Sequence, residues 1–284
     1  MAGAEGSFTS RVLAEVAPHV PPLGCCRRAL LEGMALAVGT SRAEDGEGDE
    51  VAIPRPVAAR SGLAALHSLG IPARVVRRRA ARRPRYVLVA PGLAGVRGSE
   101  RSCCRRLRLR GAFLAAGSVS RPQGAPQAEL RAYDQAAAAR LHSDCVVLEL
   151  GARAAARRGR PLVILSGSAA VAGLLSTVGA QGARLRFEQG RVVAELRGEI
   201  NRRTNAETAN LRRAVRASVA QLEAVGRLQR IPGRYEALPS SLRAAADLRQ
   251  RHPDDTLERL AQRAGCSRAA MAGRLHRLLG AAPD

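Results

Sequence analysis

Apolar positions fall three and four residues apart in FTSRVLAEVA (8–17), which predicts a short first helix capped by Thr9 or Ser10. A second helix is predicted over 27–38, with Gly39 as the stop after its last residue. The acidic run AEDGEGDE (43–50) reads as a loop. Beyond it come VAIP as a short strand, a helix over 57–69, and VVRRR and RYVLVA as two more strands. The same order then returns: a helix over 105–116, a loop at RPQGAPQ, ELRAY as a strand, a helix over 134–142, and CVVLEL and PLVILS as strands. From Glu188 onward the pattern is helical, with arginine pairs at helical spacing. It breaks at IPGRYEALPS and resumes as LRAAADLRQ and then TLERLAQRAGCSRAAMAGRLHRLLG, a small separate module.

The repetition is present in the letters as well. CCRRALLEGMALAVG from Cys25 returns as CCRRLRLRGAFLAAG from Cys103, matching at nine positions that are each 78 residues apart. Leu66-His67-Ser68 matches Leu141-His142-Ser143 and Arg82-Arg83 matches Arg157-Arg158 at a spacing of 75, so three residues are lost in an intervening loop. Residues 20 to 180 are therefore two related halves. Gly33 and Ala37, like Gly111 and Ala115, lie one turn apart on one helix face. Small residues at that spacing let two backbones approach, and the simplest use is mutual packing of the two copies about a pseudo-two-fold axis.

The C-terminal module has helix-turn-helix spacing. Leu257, Leu260 and Ala261 face its core, Ala261 is small where the helices cross, and Gly265 can take the left-handed conformation of the turn. Cys266 and Met271 are further buried positions, and Ser267 caps a second helix carrying Arg268, Arg274, His276 and Arg277. One position departs from the pattern: Arg274 stands where an apolar residue is usual, and Leu275 comes one later.

Charge sharpens this reading. All 46 basic residues are arginine, the formal net charge is +22, and aromatics make up 2% of the chain. The core must be built from aliphatic side chains, and the field attracts a polyanion, nucleic acid first, ahead of an acidic membrane surface or acidic protein. In such a module the second helix enters the major groove, where Arg268 and Arg274 are the first candidates for guanine edges, and Ser267, His276 and Arg277 complete the candidate DNA-binding set. Phosphate contacts are expected from the arginine run 77–79, 82, 83 and 85, represented by Arg77, Arg79 and Arg85 on one sheet face, and from Arg202, Arg203, Arg212 and Arg213 on the preceding helix. Six sparse cysteines do not form an extracellular disulfide frame, MAGAEGSF is not a signal peptide, and no apolar run is long enough to span a bilayer. The chain is thus expected to be cytoplasmic and nucleoid-associated, without membrane contact.

The two signature helices, LEGMALAVG and LRGAFLAAG, resemble those of the LAGLIDADG homing endonucleases. In that family an aspartate before the final glycine of each helix holds divalent metal for strand cleavage. Here Val38 and Ala116 stand at those places, and hydrocarbon cannot ligate Mg²⁺. SFTSRVLAEV, the two CCRR strings, LRGAFLAAGSVSRP and FEQGRVVAELRGEINRRTNAETANLRR together resemble the WhiA family, including Asn201, Arg202, Asn205, Ala209 and Asn210 of an N-R-x-x-N-x-x-x-A-N string. The resemblance implies a regulator of bacterial cell division and sporulation that binds promoter DNA without nuclease activity, alongside a WhiB-like iron–sulfur partner in actinobacteria. It implies an α+β fold: an N-terminal segment (1–20), a degenerate LAGLIDADG-like domain with pseudo-two-fold symmetry (21–190, halves near 21–98 and 99–185), a helical linker (191–235) and an all-α helix-turn-helix domain (236–284).

Other constellations are weaker. Adjacent cysteines diverge on a helix and lack usual zinc spacing, so the CC pairs read as packing at the helix entries rather than a metal site. His67 and His142 are related by the repeat, which points to shared packing and not catalysis. No catalytic residue and no cofactor is expected, and the chain is read as a monomer with an internal pseudo-dimer. Two rival readings stay open: a metal-dependent endonuclease, and a protein-interaction scaffold recruiting the WhiB-like partner.

Overall fold

The computed structural model describes residues 7–44, 46, 48–79 and 84–283. In chain order the first half contains α1 (Phe8–Val16), α2 (Gly24–Val38), β1 (Ser41–Arg42), β2 (Asp49–Ile53), α3 (Pro56–His67), β3 (Arg74–Arg78) and β4 (Arg85–Ala90). The second half repeats it as α4 (Ser102–Ala116), β5 (Gly117–Val119), β6 (Gln127–Arg131), α5 (Gln135–Val147), β7 (Ala152–Arg157) and β8 (Arg160–Ser166). Among the described residues each half forms a four-stranded antiparallel sheet of the same order, β1-β2-β4-β3 and β5-β6-β8-β7. Then follow α6 (Ser168–Thr177), α7 (Gln181–Arg230), α8 (Ser240–Arg251), α9 (Leu257–Arg263) and α10 (Arg268–Ala281). The chain divides into two compact units, 1–196 and 197–284, with the boundary inside α7.

Three expected details change. Ser7 caps α1, accepting from the Ser10 N–H at 3.2 Å. Thr9 instead exchanges hydrogen bonds with the backbone of Val119, because it already lies inside the first turn. CVVLEL is not a strand. Ala137, Ala138, Leu141, Asp144 and Cys145 form one buried helical face, which carries α5 through Val147. The strand is the polar ARAAAR segment, an edge strand paired only with β8, where little apolar character is needed. The acidic run also ends in structure: Asp49 and Glu50 are buried in β2, where Asp49 accepts from the Ala94 N–H and Glu50 from Ser41 and Arg78.

The centre of the first unit is the contact of α2 with α4. A Cβ on Gly33 would lie 1.9 Å from the Arg108 carbonyl oxygen, and one on Gly111 would lie 2.0 Å from that of Leu30. These contacts are reciprocal under the 78-residue shift, so backbone meets backbone twice about the pseudo-two-fold. Leu30, Leu31, Met34, Leu109, Phe113, Leu66 and Leu88 pack around the crossing, and Phe8 and Phe187 meet at 6.1 Å between ring centroids to fasten α1 to the start of α7. With three phenylalanines in the whole chain and no tryptophan, aliphatic side chains must fill nearly all of this core.

One buried network breaks the symmetry. Arg108, fully buried, donates to Asp144 at 2.7 and 2.8 Å and places its Nε 2.9 Å from Glu32. Burial alone would lower its pKa, but the bonds to Asp144 and Glu32 outweigh that and raise it. Glu32 also accepts from the Gly98 N–H, and Arg105 adds a second cation to Asp144 at 2.9 Å. The position equivalent to Arg108 in the first half is Leu30, so this network belongs to one side of the axis only.

In the second unit Ala224, Val225 and Leu228 pack with Leu238, Leu242, Ala246 and Leu278. A neighbouring cluster contains Ala245, Leu260, Ala261, Met271 and Leu275. Between them Arg249 is buried, donating to Gln221 at 2.9 Å and to the Asp255 carbonyl at 2.8 Å. Among the described residues no helix is long and apolar enough to cross a membrane.

Gly33→Ala and Gly111→Ala are each expected to destabilise the first unit by about 3 kcal/mol or more in urea melts, since backbone and not a flexible side chain must yield. Gly226→Ala, in α7 with open space around it, is expected to stabilise by about 0.5 kcal/mol. Arg108→Leu, which restores the residue of the other half, is expected to cost about 3–5 kcal/mol because Asp144 and Glu32 lose their buried partner. Adding Asp144→Asn and Glu32→Gln is expected to recover part of that loss in the same melts.

Candidate nucleic-acid interface

Local signals build the helix-turn-helix of the second unit. Thr256 caps α9 by accepting from the Arg259 N–H at 3.3 Å. Gly265 takes φ +61°, a conformation costly for other residues, and the next N–H, that of Cys266, closes the turn on the Ala261 carbonyl at 3.0 Å. Ser267 then caps α10, accepting from the Ala270 N–H at 3.1 Å. Met271, Leu275 and Leu278, spaced by four and three, are the fully buried stripe of α10. The irregular position is thereby explained: Leu275 is the core residue and Arg274 flanks it, half-buried. Cys266 is half-buried against the same cluster. Ser267, Arg268, His276 and Arg277 are exposed. Asp255 accepts from Arg263 at 2.7 Å, and that bond holds its carboxyl below the usual carboxylate range, bracketing the start of α9.

In the first unit the places where the endonuclease signature carries acids are the C-terminal ends of α2 and α4. Val38 and Ala116 occupy them, both half-buried. The two helix ends are completed from opposite halves. Arg55, just before α3, donates to the carbonyls of Phe113 and Leu114 at 3.0 and 3.1 Å and of Gly117 at 2.6 Å. Burial first, then the charge of Arg131, lowers its guanidinium pKa, yet the carbonyls of a helix end favour a cation there. The end of α2 instead receives the Tyr133 N–H on the Leu36 carbonyl at 2.9 Å. The Tyr133 ring lies where a Cβ on Gly39 would be, 2.5 Å away, and Gly39 has φ +84°.

Comparison with known proteins fits both halves of this geometry. Residues 105–197 match the family described as the WhiA LAGLIDADG-like domain, and residues 200–282 match the WhiA C-terminal HTH domain. The chain belongs to the WhiA family. A "Probable cell division protein WhiA" of Heliobacterium modesticaldum is 40% identical over 163 residues, covering 57% of this chain and 51% of that protein. The protein of the same name from Desulfitobacterium hafniense (strain Y51) is 36% identical over 174 residues, covering 61% and 54%. The chain thus spans about half the length of the curated relatives it matches. The crystal structure of full-length DUF199/WhiA from Thermatoga maritima shares the fold at 18% identity, with a TM-score of 0.63 over 98% of this chain and 100% of that one.

Within this WhiA chain the sheet arginines regroup. Arg78 faces Arg85 and Arg77 faces Tyr86 across the β3–β4 ladder, so Arg77 and Arg85 lie on opposite faces rather than one. Arg79 falls beyond the ladder, while Arg82 and Arg83 lie outside the described residues. Period-two alternation puts Arg74, Arg78 and Arg85 together on the face away from the Val51–Leu88 core. The second sheet carries a matching set that sequence reading missed: Arg157 faces Arg160, with Arg153 and Arg131 on the same face. In each sheet the last hairpin rung holds an arginine paired to a buried glutamate, Arg78 to Glu50 and Arg157 to Glu129, both at 2.8 Å. The ladder register of ARAAAR reveals this second set, which a strand at CVVLEL would have hidden.

Arg202, Arg203, Arg212 and Arg213 are all exposed on α7. Arg203 pairs with Glu207 at 3.1 Å, and Arg213 donates to Asn210 at 2.6 Å. His67 and His142 occupy equivalent places, each within hydrogen-bond reach of a backbone oxygen, Ala73 at 3.1 Å and Ala152 at 3.2 Å. The CC pairs pack at the helix entries as expected, with Ala29 and Leu107 beside them, and they also meet one another. Cys25, Cys26, Cys103 and Cys104 bring their sulfurs within 4.8 Å of one another, because side chains that diverge on one helix converge when two helix starts lie side by side. Burial first and then Cys103 push the Cys26 thiol up to about 12, whereas for Cys104 the hydrogen bonds from Ser99 outweigh burial and lower it.

Ser267→Ala is expected to cost about 1 kcal/mol of second-unit stability through loss of the cap, seen as faster hydrogen exchange at the Ala270 amide.

Proposed function

We propose that this chain is a sequence-specific DNA-binding transcription regulator of the WhiA type, serving cell division and sporulation, that does not cut DNA. The observation that carries the reading is the outer surface of α10. Ser267 and Arg268 open this capped second helix, and Arg274, His276 and Arg277 follow along it off the buried stripe, in a chain of net charge +22. Arg268 and Arg274 are assigned to base edges and the others to backbone positioning. Arg202, Arg212 and the exposed sheet arginines Arg85, Arg153 and Arg160 supply sequence-independent phosphate attraction. Residues 236–284 act as the DNA-binding domain and 191–235 as its helical connection. The chain works in the cytoplasm at the nucleoid, as a monomer whose two halves mimic a dimer. Its first unit is also the surface for a protein partner, of which a WhiB-like iron–sulfur regulator is the candidate.

The rival reading, a metal-dependent endonuclease, is disfavoured by the same helix ends. Val38 and Ala116 offer no oxygen ligand, and the Arg55 guanidinium serves the carbonyls beside Ala116. A divalent cation placed there would meet hydrocarbon and a fixed positive charge.

Band shifts on promoter DNA from the organism test the reading. Arg268→Ala and Arg274→Ala are expected to weaken specific binding by roughly 5- to 150-fold, while Arg212→Ala lowers affinity on all sequences and reduces the salt slope by about 1. Supercoiled DNA incubated with the chain and Mg²⁺ is expected to stay uncut. A specific shift indifferent to both α10 changes would remove the recognition helix from the account. Metal-dependent cutting lost on a change at Val38 or Ala116 would restore the nuclease.

A further inference from the structure

The four clustered cysteines lie outside the residues assigned above to DNA contact. All are free thiols; Cys26 and Cys104 are buried, and Cys25 and Cys103 are half-buried. They sit in the first turns of α2 and α4, which run side by side in the same direction. Two cross-helix sulfur pairs, Cys25 with Cys104 and Cys26 with Cys103, exchange into each other under the 78-residue shift. The cluster therefore lies on the pseudo-two-fold axis, at the opposite end of the helix pair from Val38 and Ala116.

We infer that Cys25, Cys26, Cys103 and Cys104 form a tetrahedral four-thiolate site for one zinc ion. Neighbouring residues on a helix diverge by about 100°, so one CC pair cannot close a site alone. Two pairs from two adjacent helix starts supply four directions around a common point, as a tetrahedron requires. At a zinc–sulfur distance of about 2.3 Å the sulfurs of such a site stand about 3.8 Å apart. The observed spread of up to 4.8 Å needs a contraction of about 1 Å at most, within the reach of side-chain rotation.

Charge and second contacts agree with a thiolate centre. Two helix N-termini, at Gly24 and Ser102, neither with a side-chain cap, lie at this end of the pair and favour negative charge there. The Ser99 hydroxyl donates to the Cys104 sulfur at 3.1 Å, the type of contact that orients a ligating thiolate. An all-sulfur set with no histidine or carboxylate selects a soft tetrahedral ion over magnesium or calcium. Binding would release the four thiol protons to solvent and leave a dianionic centre that ties the two repeats together at their entries.

The test is metal analysis of the full chain purified under reducing conditions. One zinc per chain is expected, and replacement by Co²⁺ is expected to give the visible absorption of tetrahedral cobalt thiolate. The Cys25→Ser/Cys103→Ser double variant should lose both signals, while Cys266→Ser keeps them. Should the double variant fail to fold, alkylation of the native chain serves instead: the four cysteines are expected to be protected with zinc and to react after chelation. A folded, reduced chain that takes up neither ion at equimolar addition would overturn the site, as would metal retained in a folded double variant. Peptide maps of the reduced-purified chain showing Cys25–Cys104 and Cys26–Cys103 disulfides would replace zinc by a covalent staple.

Discussion

The first unit depends on one close approach, the mutual contact of Gly33 with the Arg108 carbonyl and of Gly111 with that of Leu30. With no Cβ at either crossing, α2 and α4 touch backbone to backbone, and everything at their ends follows. At the entries the contact draws two CC pairs into one sulfur cluster. At the exits it places Val38 and Ala116 at the helix ends that Tyr133 and Arg55 complete. Around the middle it leaves room for an aliphatic core with few rings. A methyl group at either glycine would push on all three regions together.

Duplication supplied the frame and divergence within it supplied the character. Both sheets keep the same strand order, and His67 and His142 keep the same role. Elsewhere the halves differ where charge must be buried. Arg108 replaces the leucine of the first half and anchors to Asp144 and Glu32, so the axis has a polar side and an apolar side. The exits are finished differently too, by a guanidinium at α4 and by a peptide N–H under an aromatic ring at α2. Unfinished helix carbonyls need donors, and here each end finds them in the opposite half of the chain.

Several features were legible because they are local or repeated. The 78-residue echo disclosed the duplication, and its small residues disclosed which helix faces meet. Gly265 and Ser267 disclosed the turn and cap of the helix-turn-helix module, since left-handed backbone and an N-cap oxygen are demands of a few residues. The misfit at Arg274 was half of a correct signal, because counting from Met271 makes Leu275 the core residue. CVVLEL misled because a β-branched apolar run resembles a strand, while the buried face from Ala137 to Cys145 had already committed it to a helix. The grouping of Arg77 with Arg85 failed on ladder register, which shifts a side chain to the other face with each residue.

By itself the sequence determined the helices and strands in outline, the duplication, the turn chemistry of the C-terminal module and the absence of acids at positions 38 and 116. Each of these is specified by neighbours along the chain, through periodicity, capping or plain residue identity. Only the tertiary structure decided that four diverging cysteines share a point, that Arg108 is a buried partner of Asp144, and that Arg55 serves the end of a helix nearly sixty residues away. Those outcomes depend on where two helices cross and how two halves pack, and distances of that kind are set by the whole core rather than by any stretch of sequence.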